Sequence, residues 1–109
     1  MHPESRKFLW DATEAGRQAL QFAAGKTLGD YLSDALLRAG IERQLIILGE
    51  ALSRLRQVDP GAAAGIVDLH RAVALRNVLV HAYAETDDQL VWSVIVGPLP
   101  QLLCQIELL

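Results

Sequence analysis

Residues 28–58, LGDYLSDALLRAGIERQLIILGEALSRLRQV, decide the fold class of this chain. Their apolar side chains recur at the three- and four-residue intervals of an amphipathic helix and form one broad stripe. The stripe consists of Tyr31, Leu32, Ala35, Leu36, Ala39, Leu45, Ile46, Leu48, Leu52 and Leu55. The run Asp59-Pro60-Gly61 ends the pattern, and Gly40 is the point where we expect a bend. The stretch therefore predicts one long helix.

The flanking sequence has the same helical spacing, and no alternation typical of a strand extends beyond a few residues. Gly25 ends a first helix, and Thr27 with Asp30 has the spacing of a capping box for the second. The predicted helices cover residues 5–24, 28–58, 66–80 and 88–109, the last kinked at residues 97–100. Their short connections predict an all-α, antiparallel bundle of four to five helices.

Length and composition limit what this bundle can be. With 109 residues, the chain is too short for two independent cores, so we expect a single domain spanning residues 1–109. A hydrophobic content of 51% excludes intrinsic disorder and leaves apolar surface for a partner, which predicts a homodimer. The net charge of −3 excludes a general basic coat for nucleic acid, although a local arginine cluster remains open. Arg38, Arg43, Arg54 and Arg56 could flank a phosphate track, but the pattern favours a solvated helix face for them.

Several other classes of protein are excluded by missing patterns. Residues 1–10 are charged and do not resemble a signal peptide, and prolines and glutamines interrupt the uncharged run at residues 89–106. We therefore expect a cytoplasmic protein with no membrane segment. The chain has no phosphate-binding loop, no dinucleotide fingerprint and a single cysteine, Cys104. Accordingly, we expect neither a cofactor nor a metal site.

One face of the third predicted helix combines apolar residues with a charge. On a helical wheel, Leu69, Val73, Arg76, Val80 and Tyr83 fall within roughly 80° of arc. Arg76 therefore lies in an apolar seam, where an unpaired guanidinium is costly. It needs an anion, which is either Glu50 or Glu42 of the protein or a phosphate ligand.

A second stripe on the same helix is polar. His70, Asn77 and His81 cluster within roughly 40° on the wheel. Arg76 and His81 lie about 140° apart, so they converge on one ligand only if the helix end unwinds or a second protomer supplies one of them. Taken singly, each residue has a plain structural interpretation: a surface histidine, a structural ion pair and a half-buried packing tyrosine. The spacing favours a phosphate or nucleotide site.

The stretch Arg76-Asn77-Val78-Leu79-Val80-His81-Ala82-Tyr83 contains an arginine, a histidine five residues later and a tyrosine two residues after that. It resembles the signature of HEPN-domain ribonucleases, and of the HepT toxin family in particular. Residues 22–25, 47–51 and 91–92 also resemble segments of that family, in the same order along nearly the whole chain. The chain departs from it at Leu69, Ala74, Ala82 and Ala84, where the family often has tryptophan, glycine, an acidic residue and an aromatic.

The resemblance implies an all-α homodimer in which the motif helices face each other across a two-fold axis. It implies a metal-independent endoribonuclease with Arg76 and His81 as catalytic residues and with Asn77, Tyr83 and His70 binding or supporting the RNA substrate. In the HepT family the toxin is paired with a minimal nucleotidyltransferase antitoxin, which transfers AMP to the motif tyrosine. Tyr83 would be the corresponding modification site here.

Two other interpretations stay open. In the first, the chain is a non-catalytic helical dimer that binds a nucleotide or docks a nucleotidyltransferase partner, and Arg76 pairs with Glu50 for structural reasons only. In the second, it is a structural bundle without a ligand. Growth arrest and RNA breakdown on overexpression would separate the ribonuclease from both.

Overall fold

Side-chain caps determine where most helices of this protein begin. In the computed structural model, which describes every residue from Met1 to Leu109, Thr27 and Asp30 form the predicted capping box. The Thr27 hydroxyl accepts from the Asp30 N–H at 3.1 Å, and the Asp30 carboxylate accepts from the Thr27 N–H at 2.9 Å. Asp34 and Asp87 cap later helices without a reciprocal bond, and each carboxylate accepts from two backbone N–H groups.

The chain forms seven α-helices and no strand, which confirms the all-α prediction. The helices are α1 (Ser5–Ala23), α2 (Leu28–Ser33), α3 (Ala35–Val58), α4 (Pro60–Ala63), α5 (Leu69–His81), α6 (Asp88–Val96) and α7 (Pro98–Glu107), with a 3₁₀ turn at Tyr83–Glu85. The first predicted helix, residues 5–24, matches α1, and Gly25 follows it with a positive φ of 73°. The predicted kink is also present, since α6 and α7 meet at Gly97 with a bend of 44°.

The prediction of one helix over residues 28–58 is wrong. The backbone is extended at Asp34, whose carboxylate caps a new helix by accepting from the N–H groups of Leu36 and Leu37. Arg38 stabilises the break because its guanidinium donates to the carbonyl oxygens of Tyr31 and Leu32, at 3.1 and 2.7 Å. These carbonyls end α2 and have no helical partner further along the chain.

The longest helix, α3, is the centre of the molecule. Helix α1 packs on one side of it and α5 on another, and together with α6 and α7 they enclose one core of 22 buried residues. Tyr31, Ile41, Leu52 and Leu55 in this core are completely buried. Helix α5 runs antiparallel to α3, because Arg76 contacts Glu50 and His70 contacts Arg56.

No single helix has both the length and the apolar composition to span a membrane. The bent pair of α6 and α7 reaches that length and composition only when the two helices are taken together.

Candidate active site on helix α5

Helix α5 carries the arginine and the histidine of the motif, and the tyrosine follows it. The helix begins at Leu69 and continues through His81, so it starts and ends slightly later than the predicted residues 66–80. The backbone leaves the helical conformation at Ala82, and Tyr83 opens the 3₁₀ turn. The motif therefore spans the last two turns of α5 and the start of the following turn.

Arg76 is anchored inside the protein. Its side chain is only 18% exposed, and its Nη1 atom lies 2.9 Å from Oε2 of Glu50. The structure thus pairs Arg76 with Glu50, one of the two protein partners that the sequence left open. Its Nε atom is also buried and has no acceptor, so the guanidinium has donor capacity that the protomer does not use.

Glu42, the other carboxylate considered for Arg76, lies in a different cluster. It neighbours Tyr31, Asp88 and Arg38. Burial raises the pKa of the Glu42 carboxyl above its usual value, the charge of Asp88 raises it further, and Arg38 opposes both. Burial likewise raises the pKa of Tyr31, whose hydroxyl is buried without a hydrogen-bond partner.

A glycine on α3 allows the approach of α5 that places Arg76 on Glu50. A Cβ atom at position 49 would lie 2.9 Å from the carbonyl oxygen of Ala72 and would collide with the Arg76 side chain. Only a residue without a side chain fits there, because real Cβ atoms do not come so close to other heavy atoms. The neighbour of Gly49 along the chain, Glu50, is therefore brought directly to the guanidinium.

The other three motif side chains are exposed. Asn77, His81 and Tyr83 make no hydrogen bond or ion pair within the protomer, and Tyr83 is 77% exposed. The apolar seam predicted to run from Leu69 to Tyr83 therefore ends early: Val80 is 43% exposed, and Tyr83 leaves the helical stripe where α5 stops. A half-buried packing role for Tyr83 is excluded in the single protomer.

His70 belongs to the same exposed face but to the opposite end of the helix. Its Nδ1 atom lies 3.0 Å from Nη1 of Arg56 on α3. His81 lies eleven positions further along the helix, which corresponds to about 16 Å along the helix axis. The structure does not bring His70 next to Arg76 and His81.

A cleft of about 650 Å³ opens between α1, α3 and α5, beside Arg76. Phe8, Ile46, Ile47 and Val80 form its apolar wall, and Val80 directly precedes His81. Its charged lining residues are the cations Lys7, Arg43, Arg54 and Arg76 and the acids Glu4, Asp11 and Glu50. We refer to this space as the α1–α3–α5 cleft.

Of this lining, sequence reasoning singled out Arg76 and Glu50, and it considered Arg43 and Arg54 for a phosphate track but favoured a solvated helix face for them. Arg43, Glu50 and Arg54 have the spacing i, i+7, i+11, which places them on one face of α3, and this signal was present in the sequence. Lys7 and Asp11 on α1 had no such signal.

A second groove of about 540 Å³ lies on the other side of α5, mainly apolar and bordered by Arg71. No group of three or more histidine, cysteine, aspartate or glutamate residues is placed to hold a metal ion.

Comparison with known proteins identifies the family. A family model described as "Ribonuclease HepT-like" matches residues 12–109. The chain belongs to the HepT-like ribonuclease family. A relative from Methanocaldococcus jannaschii, named "Putative RNase MJ1380", is 27% identical over 103 residues, which cover 94% of each chain. "Putative RNase MJ0127" from the same organism is 26% identical over 102 residues, covering 94% of this chain and 84% of the relative.

Membership of the HepT-like family confirms the resemblance of the chain to that family and supports a ribonuclease-type function. No solved structure matches the chain.

Proposed function

We propose that this protein is a metal-independent endoribonuclease that acts as a homodimer. One observation carries the proposal: the buried Arg76 is fixed by Glu50 and keeps an unused donor, while Asn77, His81 and Tyr83 near it in sequence are exposed and unpartnered. A guanidinium binds phosphate oxygens, and an imidazole is the side chain most often used for proton transfer in catalysis.

The reaction that these groups suit is transesterification. The ribose 2′-hydroxyl attacks the adjacent phosphorus, its proton passes to His81, and the bond from phosphorus to the 5′-oxygen of the next nucleotide breaks. A cyclic phosphate forms, and a second His81 protonates the departing oxygen. Arg76 stabilises the charge that develops on the non-bridging oxygens, Asn77 and Tyr83 donate hydrogen bonds to the phosphate, and His70 supports the RNA further along the face.

Dimerisation completes the site in this proposal. Arg76 and His81 of one protomer point about 140° apart on α5, so a facing α5 from a partner brings a second copy of each to the same phosphate. The exposed apolar side chains near the motif, Val78 and Val80, supply surface that such a partner would cover.

The exposed Tyr83 supports a proposal of regulation by a partner. We propose that the protein is the toxin of a toxin–antitoxin pair and that a minimal nucleotidyltransferase transfers AMP from ATP to the Tyr83 hydroxyl, which loses its proton while pyrophosphate leaves. The hydroxyl of a side chain that is 77% exposed is accessible for such a transfer. An AMP group would add bulk and negative charge beside Arg76 and exclude RNA. Co-expression with the nucleotidyltransferase should add AMP to the intact mass of wild type and leave Tyr83→Phe unmodified.

The decisive experiment is cleavage of RNA by purified protein in EDTA. Wild type should cleave, and His81→Ala should remain folded while losing about 10²–10⁴ in rate, because proton transfer contributes that much. His2→Ala is the matched control, since His2 is an exposed histidine beside Asp59, at the opposite end of α3 from Val80 and Arg43. Activity that disappears in EDTA, or an equally active His81→Ala, would refute the proposal.

A second function has some support. The Arg76–Glu50 pair and the net charge of −3 also fit a non-catalytic dimer that docks a nucleotidyltransferase. In that case, overexpression would leave RNA intact while tight binding of the partner is retained.

A further inference from the structure

We infer that the α1–α3–α5 cleft holds the sugar–phosphate backbone of single-stranded RNA next to the cleaved bond, with Arg43 and Arg54 as phosphate-binding residues. This inference rests on the proposed function and names the path of its substrate. The cleft gathers four of the chain's ten cations and three of its thirteen acids around a space of about 650 Å³, so its lining carries a charge of +1 although the protein as a whole carries −3. Lys7 is already paired with Asp11 at 2.8 Å, which leaves the arginines for a phosphate.

Along α3, Arg43 and Arg54 lie on either side of Glu50, which binds Arg76. They share one face of α3 with Glu50, and their separation of eleven positions corresponds to about 16 Å along the helix axis. Because of this distance, the two arginines can bind phosphates on either side of the one that Arg76 binds. A track of cations along a groove is how proteins follow a nucleic-acid backbone without reading its sequence.

The four arginines of α3 differ in what they already bind. Arg38 donates to backbone carbonyls at the end of α2, and Arg56 contacts His70, so both have structural partners outside the cleft. Arg54 shares Glu50 with Arg76 at 3.2 Å but is 59% exposed, and Arg43 makes no ion pair or hydrogen bond. Arg43 is therefore the arginine of this helix most available to an incoming phosphate.

The antiparallel packing of α3 and α5 gives the path a direction. Arg43 lies close to Ile46 and Ile47 on α3, at the end of the cleft that is nearest to Val80 and His81 of α5. Arg54 lies beyond Glu50, towards the start of α5. RNA in this cleft passes Arg43, then Arg76, then Arg54, and its bases meet the apolar wall formed by Phe8, Ile46 and Ile47.

The test measures binding of a single-stranded RNA oligonucleotide to His81→Ala protein, which keeps the RNA intact. Arg43→Gln and Arg54→Gln should each bind about tenfold more weakly, and the slope of log K against log salt should become shallower by about 0.7. Arg71→Gln is the matched control, because Arg71 borders the separate groove on the other side of α5. It should leave both quantities unchanged. In the active protein, Arg43→Gln should raise KM and leave kcat nearly constant.

The outcomes separate this inference from the proposed nuclease. If His81→Ala abolishes cleavage but Arg43→Gln binds RNA as tightly as Arg71→Gln, the cleft is not the RNA path. If the wild type does not cleave and Arg43→Gln still weakens RNA binding, the path stands and the nuclease proposal fails. If Arg43→Gln dissociates a dimer without changing RNA affinity, a second copy of the chain occupies the cleft, and the inference is overturned.

Discussion

At the scale of single residues, Glu50 makes two ion pairs that differ in burial. The Arg76 side chain is 18% exposed and the Arg54 side chain 59%, although both guanidiniums contact the same carboxylate. A buried guanidinium loses more when its counter-charge is removed, because water cannot replace it. Glu50 therefore acts mainly as the residue that positions Arg76.

Removing the Glu50 carboxylate should lower the free energy of unfolding far more than removing its exposed partner, the Arg54 guanidinium. Glu50→Gln should lower the free energy of unfolding by about 1–3 kcal/mol, because it leaves the Arg76 guanidinium without a counter-charge. Arg54→Gln should cost less than about 0.5 kcal/mol, as for other exposed pairs on one helix. Urea denaturation of the two variants measures both values, and equal losses would contradict the role assigned to Glu50.

At the scale of helices, aspartate side chains cap the helices that follow short connections. Asp59 at the end of α3 binds both the start of α1 and the start of α4. Its carboxylate accepts from the Ser5 hydroxyl at 2.6 Å, from the Ala62 N–H at 3.1 Å and from the His2 N–H at 3.0 Å. The Ser5 hydroxyl contributes most, followed by the two backbone N–H groups, and together they lower the pKa of Asp59 from 3.8 to about 2. The starts of α1 and α4 are thereby held at the end of α3.

The lowered pKa of Asp59 predicts that the protein loses stability in acid. Because the folded state holds the Asp59 pKa below its unfolded value, the stabilisation is complete above about pH 4 and is lost as the pH falls to about 2. Urea midpoints measured across this range should show a loss that is smaller in Ser5→Ala than in wild type and smaller still in Asp59→Asn, which retains only the contribution of other carboxyls such as Asp30. An undiminished acid loss in Asp59→Asn would show that other carboxylates cause it.

At the scale of the whole molecule, the proposed site requires two chains. Arg76 and His81 of one protomer diverge on α5, and Val78, Val80 and Tyr83 expose surface beside them. A shared groove and a site within one protomer differ in one observable property. Only a shared groove permits two inactive variants to restore each other.

Mixing Arg76→Ala with His81→Ala should therefore restore activity. After subunit exchange, half of the dimers are mixed, and each has one Arg76 and one His81 in the shared groove but lacks the second His81 that protonates the departing oxygen. The activity should therefore rise above that of either variant alone and stay well below a quarter of the wild-type activity. Each variant alone is the control, and exchange is monitored with differently labelled chains. A mixture that exchanges subunits and stays inactive would place Arg76 and His81 of one protomer in the same site.

The sequence by itself determined the helical class, the capping box at Thr27, the kink at Gly97 and the position of Arg76 in an apolar seam. These features depend on residues within a turn or two of one another, so periodicity and capping rules are enough to find them. The same local rules missed the break at Asp34, because an aspartate is also tolerated on the exposed face of a continuous helix.

Only the tertiary structure decided which residues meet. The packing pairs Arg76 with Glu50 instead of Glu42, and Gly49 allows the close approach of α5 that this pair requires. It also leaves Tyr83 exposed and Arg43 unpaired in the α1–α3–α5 cleft. Each of these outcomes depends on how α1, α3 and α5 pack, and packing joins side chains that lie tens of residues apart in the chain. A wheel drawn for one helix contains no information about the helix beside it.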